Sequence, residues 1–231
     1  MIIEIIVTNF VEALRAVEYG ASRLELIHDF IDGGLSPQFE LAKQISKAVD
    51  IPVNVMVRPH ARSFVYSIKD MQIIHQEIDR LLTYTNTNGI VFGSLMEDHT
   101  VNLKQLEAVL RQLEGTGCEL TFHRAIDAAF DPLDSFKILQ NYGNLIARVL
   151  TSGGAATALD GLPILLKMQE SRTKNGAIIL PGSGINPQNA LQIACQISSK
   201  ELHLGSGIRH NGVLDMELFK LLFKNLIEVR V

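Results

Sequence analysis

The chain has 231 residues and a formal net charge of −4, and 47% of its residues are hydrophobic while 20% are charged. This composition is typical of one folded domain with a large apolar core, and no apolar run approaches the ~18 residues that favour a membrane-spanning helix. The mild charge, with no Lys/Arg cluster, argues against a nucleic-acid-binding surface, and two cysteines, Cys118 and Cys195, argue against a disulfide framework.

The first predicted element is a strand from Ile2 to Val7, which Glu4 interrupts with a charge. A secretory signal would instead show a basic head followed by a long apolar middle. We therefore expect a cytoplasmic protein, a location that also suits two reduced thiols.

Eight short apolar segments, each typical of a buried strand, recur along the chain. They are Ile2 to Val7, Arg23 to Ile27, Val53 to Val57, Gly89 to Phe92, Glu119 to His123, Arg148 to Thr151, Ala177 to Leu180 and Glu201 to Leu204. Stretches with helical periodicity lie between them, such as Phe10 to Tyr19, Leu41 to Val49, Met71 to Leu82 and Leu103 to Leu113. A spacing of roughly thirty residues is that of a strand-helix-strand unit, so the pattern predicts a parallel sheet.

The number of these units favours a closed barrel. A single (β/α)8 barrel typically has ~250 residues, close to the length of this chain. The competing fold is an open doubly wound sheet, which usually carries a glycine-rich dinucleotide fingerprint after its first strand. Here that turn is Val7-Thr8-Asn9-Phe10, without glycine. We predict the α/β class and a (β/α)8 TIM barrel that forms a single domain over residues 1–231.

Alternation along the strands directs polar side chains into the barrel. The outer face of each strand packs under helices and has to be apolar, so polar residues on the other face point inward. The charged or titratable residues that this test turns inward are Glu4, Glu25, Arg58, His123 and His203. Because the last strand of a barrel pairs with the first, Glu4, Glu25 and His203 are expected on adjacent strands, with the two carboxylates at comparable heights. Such a patch suits proton transfer or metal ligation, although buried ion pairs and core histidines also occur for structural reasons.

Three glycine-rich turns follow the last three strands. They are Ser152-Gly153-Gly154, Gly182-Ser183-Gly184 and Gly205-Ser206-Gly207. Small residues let backbone N–H groups approach an anion, and the loops after the seventh and eighth strands commonly bind phosphate in this fold. The alternative is that tight turns simply require glycine.

Many separate motifs, in this order along the chain, together resemble the CutC family. They are Arg23-Leu24-Glu25-Leu26, Gly33-Gly34-Leu35-Ser36-Pro37, Val55-Met56-Val57-Arg58-Pro59, Phe64-Val65-Tyr66-Ser67, Val91-Phe92-Gly93, Thr121-Phe122-His123-Arg124-Ala125, Leu150-Thr151-Ser152-Gly153-Gly154 and Gly182-Ser183-Gly184. The resemblance covers almost the whole chain, and it implies a (β/α)8 barrel, a cytoplasmic location, a role in copper homeostasis and a homo-oligomer, with a dimer favoured. The family motif usually has Cys directly after Glu-Leu, where this chain has Ile27.

Two functional hypotheses follow. The first is a cytoplasmic copper-binding protein, whose metal would be held by Glu4, Glu25, His123 and His203. The second is a metal-independent enzyme, a lyase, isomerase or hydrolase that acts on a small phosphorylated or carboxylate-bearing substrate. In that enzyme the same four residues would be catalytic. The residues expected to bind the anion are Arg58, Arg124, Ser152, Gly153, Gly154, Gly182, Ser183 and Gly184.

Overall fold

The structure, a computed structural model, describes residues 1–30 and 33–227, and in these ranges parallel strands alternate with helices. The strands are β1 (Ile2–Val7), β2 (Arg23–Leu26), β3 (Val53–Met56), β4 (Gly89–Phe92), β5 (Glu119–Phe122), β6 (Arg148–Thr151), β7 (Ile178–Pro181) and β8 (Glu201–Leu204). The α-helices are α1 (Phe10–Glu18), α2 (Phe39–Ala48), α3 (Ile68–Tyr84), α4 (Leu103–Leu113), α5 (Pro132–Gln140), α6 (Leu162–Glu170), α7 (Ala190–Gln196) and α8 (Met216–Ile227).

The strand order confirms the predicted (β/α)8 barrel. The strands run in the order β7-β6-β5-β4-β3-β2-β1-β8, so the last strand lies beside the first and the sheet is a nearly closed barrel. Glu4 of β1 pairs with His203 of β8 on one side and with Arg23 of β2 on the other. Glu25 pairs with Ile6, two residues further along β1, so the two carboxylates are not at the same register. Glu25 therefore lies nearer the carboxyl end of the barrel than Glu4.

Side-chain caps and glycines set the ends of several helices. The Asn9 side chain accepts from the backbone N–H of Glu12 at 2.9 Å and begins α1. Ser67 and Asp70 form a reciprocal capping box at the start of α3. Gly20 follows α1 with a φ of 103°, a left-handed conformation that glycine adopts without strain. These local signals explain why the helices start and stop near the predicted positions.

The segment after β8 departs from the simple repeat. A short 3-10 helix at Ser206–Ile208 leads into a hairpin of β9 (Arg209–His210) and β10 (Val213–Leu214) before α8 begins. Its turn is Asn211-Gly212, with φ values of 50° and 81°, as a tight hairpin turn requires. Arg209 from this hairpin reaches back to Glu12 of α1 at 2.9 Å, which ties the end of the barrel to its beginning.

Buried ion pairs fill the lumen below the carboxyl end. Arg23 lies 2.5 Å from both Glu4 and Glu201, and Arg148 contacts Glu201 at 3.2 Å and Glu119 at 2.7 Å. Glu4, Arg23, Arg148 and Glu201 therefore each have an opposite charge beside them, which a lumen of low polarity demands. Outside the barrel, no helix in the described part of the chain is long and apolar enough to cross a membrane.

Replacing Arg23 tests this network. Arg23→Met leaves the buried Glu4 carboxylate without its guanidinium, so we expect the free energy of unfolding to fall by about 3–5 kcal/mol. Lys220→Met, which breaks an exposed pair with Glu217, is the control, with an expected change within about 0.5 kcal/mol. Urea unfolding at pH 7 measures both; equal stability of Arg23→Met and the wild type would contradict the assigned role.

Candidate functional site

A cavity of about 490 Å³ opens at the carboxyl end of the barrel. This end is where TIM-barrel enzymes carry their active sites. The predicted site residues that line the cavity are Glu25, Arg58, His123, Arg124, Ser183, Gly184 and His203. Side chains from β2, β8 and the ends of β3 and β5 therefore converge on one space, as the alternation pattern predicts.

Glu4, Glu25 and His203 form a buried cluster at the base of this cavity. The Nδ1 atom of His203 lies 2.7 Å from Glu4 Oε1 and 3.2 Å from Glu25 Oε2. All three residues are at most 5% exposed. The imidazole thus stands between two carboxylates and can donate its Nδ1 proton to either.

Glu4 is held ionised by the groups around it. Its Oε2 accepts from Arg23 Nε at 2.5 Å and from Asn54 Nδ2 at 3.2 Å, and its Oε1 accepts from His203. Burial acts to raise the pKa of Glu4, but Arg23 and the hydrogen bond from His203 outweigh it and lower the pKa to about 2. Glu4 does not line the cavity, so it serves as a fixed negative charge beneath it.

Glu25 and His203 are shifted toward their protonated forms. Burial raises the pKa of Glu25 to about 7, with the charge of Glu4 adding to burial and that of His203 opposing it. Burial would lower the pKa of His203, but the two carboxylates outweigh it and raise the pKa. A carboxyl group that exchanges its proton near neutral pH is suited to general acid–base chemistry.

His123 differs from His203 because it is held neutral. Burial and the charge of Arg58 lower its pKa to about 3. Its Nδ1 accepts a hydrogen bond from the backbone N–H of Ala125 at 3.1 Å. The ring packs against Phe64 with 5.1 Å between ring centroids. His123 is therefore unsuited to act as a general acid near neutral pH.

Arg58 and Arg124 place positive charge at the cavity wall. Arg58 donates to the Gly34 carbonyl at 3.0 Å and lies 4.5 Å from the centroid of the Phe64 ring. Arg124 lies 2.7 Å from Asp127, and 41% of its side chain is exposed. Two guanidinium groups beside a cavity favour an anionic ligand.

The loop after β6 is occupied by the protein's own carboxylate, that of Asp127. The Oδ1 atom of Asp127 accepts from Thr151 Oγ1 at 2.5 Å and from the backbone N–H groups of Ser152 and Gly154 at 3.1 and 3.0 Å. Ser152, Gly153 and Gly154 do not line the cavity. Ser152 and Gly154 hold Asp127, which pairs with Arg124, while the N–H of Gly153 donates to Thr151 Oγ1 at 2.9 Å. The Arg124-x-x-Asp127 spacing at the end of β5 is the only sequence signal for this arrangement.

The loop after β7 faces the cavity. Ser183 and Gly184 have φ values of 76° and 69° and line the space, and within residues 1–30 and 33–227 their backbone N–H groups have no hydrogen-bond partner. Unpartnered backbone N–H groups in a turn beside a cavity can bind an anion. Gly182 has another purpose, since a Cβ there would stand 3.1 Å from Cδ2 of the His203 ring.

The cluster of Glu4, Glu25 and His203 is also the candidate metal site. One donor atom from each lies within 4.8 Å of the others, and His123 is not part of the group. Carboxylate and imidazole suit Cu(II) or Zn(II), whereas Cu(I) prefers sulfur. Cys118 is half-buried before β5, with its pKa raised to about 12 by burial, and Cys195 is exposed on α7. Neither thiol lines the cavity, so the donors fit Cu(II) but not Cu(I).

Comparison with known proteins gives consistent matches over most of the chain. A model of the CutC family matches residues 1–208. A CutC family protein of Pasteurella multocida is 37% identical over 210 residues, which are 90% of this chain and 84% of the relative. The copper homeostasis protein cutC homolog of Mus musculus is 34% identical over 205 residues, 87% and 72% of the two chains. A crystal structure of a CutC protein from Streptococcus agalactiae superposes with a TM-score of 0.81 at 24% identity, covering 90% of this chain and 100% of the other.

The raised pKa of Glu25 predicts a specific dependence of stability on pH. The folded protein binds this proton more tightly than the unfolded chain, so its stabilising contribution is complete below the ordinary carboxyl pKa of 4.5 and is lost as pH rises through about 7. Glu25→Gln keeps a neutral side chain at every pH. We expect the variant to be more stable than the wild type at pH 8, by on the order of a few kcal/mol, and to match it at pH 4.5.

Urea unfolding at the two pH values measures this difference. Glu114→Gln, at an exposed position, is the control and should follow the wild type at both. A wild type that is more stable than Glu25→Gln at pH 8 would contradict the raised pKa.

Proposed function

This chain belongs to the CutC family, and we propose that it is an enzyme performing acid–base chemistry on a small anionic molecule. The observation that carries this proposal is the position of Glu25, a buried carboxyl group that lines the cavity and lies 3.2 Å from His203 Nδ1; burial raises its pKa to about 7. A structural ion pair would favour an ionised carboxylate, as at Glu4. Groups whose pKa lies near the working pH are the ones that exchange protons efficiently with a substrate.

His203 supplies the second proton-carrying group. Its Nδ1 faces Glu4 and Glu25, so Nε2 is the ring nitrogen left for the cavity that His203 lines. Glu4 stabilises the imidazolium form and fixes the ring orientation, as the acid of a catalytic triad does. In this proposal Glu25 accepts a proton from the substrate and His203 donates one to it, while Glu4 remains ionised throughout.

The anionic part of the substrate is assigned to the cationic side of the cavity. Arg58, Arg124 and the backbone N–H groups of Ser183 and Gly184 provide the donors. A carboxylate or a phosphate satisfies such donors. Ser152 and Gly154 contribute indirectly by holding Asp127 beside Arg124, and Gly153 contributes by donating to the Thr151 hydroxyl, which also binds Asp127. The cavity volume of about 490 Å³ suits a small molecule.

The second candidate function is binding of copper as a cargo ion. The observation that favours it is the set of donor atoms from Glu4, Glu25 and His203, together with the name of the mouse relative. Binding of Cu(II) there would require His203 to lose its Nδ1 proton and Glu25 to ionise, and the ion would share Glu4 with Arg23. The predicted cytoplasmic location and homodimer stay predictions under either function.

A screen for stabilising anions tests the enzyme proposal. We expect a phosphorylated sugar or a hydroxy acid to raise the melting temperature of the wild type, because a ligand that binds only the folded state stabilises it by mass action. The increase should be lost in Arg58→Met. Arg62→Met removes a largely exposed arginine of the same loop and should keep it. Protection of Arg58→Met equal to that of the wild type, or no protection by any anion, would contradict the anion site.

Calorimetric titration with Cu(II) tests the second candidate. If the cluster binds copper, affinity should rise from pH 6 to pH 8 as bound protons are released. Binding should be lost in both Glu25→Gln and His203→Gln and retained in His75→Gln, a change outside the cluster. Unchanged affinity in the first two variants would remove this ligand set.

A further inference from the structure

His123 carries a buried nitrogen that the protein itself does not use. Its Nε2 atom has no hydrogen-bond partner within the described residues, although the side chain is buried and lines the cavity. A buried donor without an acceptor costs about 1–3 kcal/mol. Such groups persist in native structures mainly where a ligand or a function uses them.

The proton on the His123 ring is located by its neighbour. The backbone N–H of Ala125 can only donate, so Nδ1, 3.1 Å away, must accept and carries no proton. Burial and the cationic Arg58 disfavour the imidazolium form. The ring is therefore neutral with its hydrogen on Nε2, which makes the unpartnered atom a donor.

The orientation of this donor is fixed by close packing. A Cβ at Gly93 would lie 2.7 Å from Nδ1, so glycine is needed there for the ring to sit against β4. Phe64 and Phe122 flank the ring, with centroid distances of 5.1 and 6.2 Å. The packing therefore holds the ring in one orientation, and a preorganised donor is the form in which a protein stabilises developing charge most effectively.

We infer that His123 is a further catalytic residue, which donates a hydrogen bond from Nε2 to a carbonyl oxygen of the substrate while Glu25 takes a proton from the adjacent carbon. The inference rests on the proposed acid–base function and narrows its substrate to a small anion with a C–H group next to a carbonyl. In this role His123 donates a hydrogen bond but does not transfer its proton to the substrate.

The chemical step balances without another reactant. The C–H bond breaks and its proton passes to the Glu25 carboxylate, while its electron pair forms a C=C bond and the carbonyl π pair moves onto oxygen. The enolate oxygen then accepts from His123 Nε2–H in a cavity that also holds the guanidinium of Arg58. A neutral imidazole stabilises this oxygen without protonating it. His203 then donates a proton to the enolate carbon, which restores the carbonyl, and the proton on Glu25 returns to His203 through solvent.

Nitrogen NMR of the 15N-labelled wild-type protein tests the state of the ring without any ligand. We expect His123 to show a protonated Nε2 and an unprotonated Nδ1 throughout pH 5–9, with its signals assigned by their loss in His123→Gln. A ring that titrates in this range, or that carries its proton on Nδ1, would overturn the inference.

Binding of two small anions tests the donor role. Oxalate, a planar dianion that resembles an enolate, should bind His123→Phe at least tenfold more weakly than the wild type, while His123→Gln, which keeps an N–H donor, should lose less. Inorganic phosphate should bind the wild type and His123→Phe equally, because it requires only the arginines and the β7 loop.

Calorimetry distinguishes failure of this inference from failure of the proposed function. Equal oxalate affinity in the wild type and His123→Phe, or no oxalate binding by the wild type, would overturn the role of His123. If phosphate still binds in either case, the anion site stands. If a variant fails to fold, the ring state and oxalate binding of the wild type still decide the outcome.

Discussion

The ionised carboxylate of Glu4 is the group on which the rest of the site depends. It lies beneath the cavity and accepts hydrogen bonds from Arg23, Asn54 and His203. Because these donors keep Glu4 charged, His203 is stabilised as an imidazolium and Glu25 meets a like charge in a buried setting. Glu4, beneath the cavity, thus determines the protonation of Glu25 and His203. Arg23 joins Glu4 to the other ion pairs of the lumen.

The same electrostatics separates the two candidate functions. A cation bound by Glu4, Glu25 and His203 would have to displace the Nδ1 proton of His203 and compete with Arg23 for Glu4. An anion in the cavity would meet Arg58, Arg124 and the loop residues Ser183 and Gly184, which already line it. The arrangement therefore needs fewer changes to bind an anion than to bind copper. Membership of the CutC family does not decide between catalysis on an anion and copper binding, because the role in a family's name does not establish the chemistry of these residues.

Strand periodicity predicted the fold and the inward-facing residues, because outer faces must be apolar under helices. It did not predict the register between β1 and β2, which places Glu25 opposite Ile6, two residues beyond Glu4. Arg23 is the first residue of the predicted second strand, and its partnership with Glu4 and Glu201 depends on contacts that no local pattern encodes. The glycines after β6 predicted an anion site, and Asp127 of the same chain fills that loop. The Asn211-Gly212 hairpin had a recognisable turn signal, but its two-residue strands carry no periodicity.

The proposed chemistry requires Glu25 to exchange its proton near neutral pH. The carboxyl carbon signal of Glu25, in protein labelled with 13C at the glutamate side-chain carboxyl and assigned by its loss in Glu25→Gln, reports this directly. We expect a titration centred at about pH 7. A Glu25 signal that titrates near the ordinary value of 4.5, or below it, would contradict proton exchange by Glu25 at neutral pH.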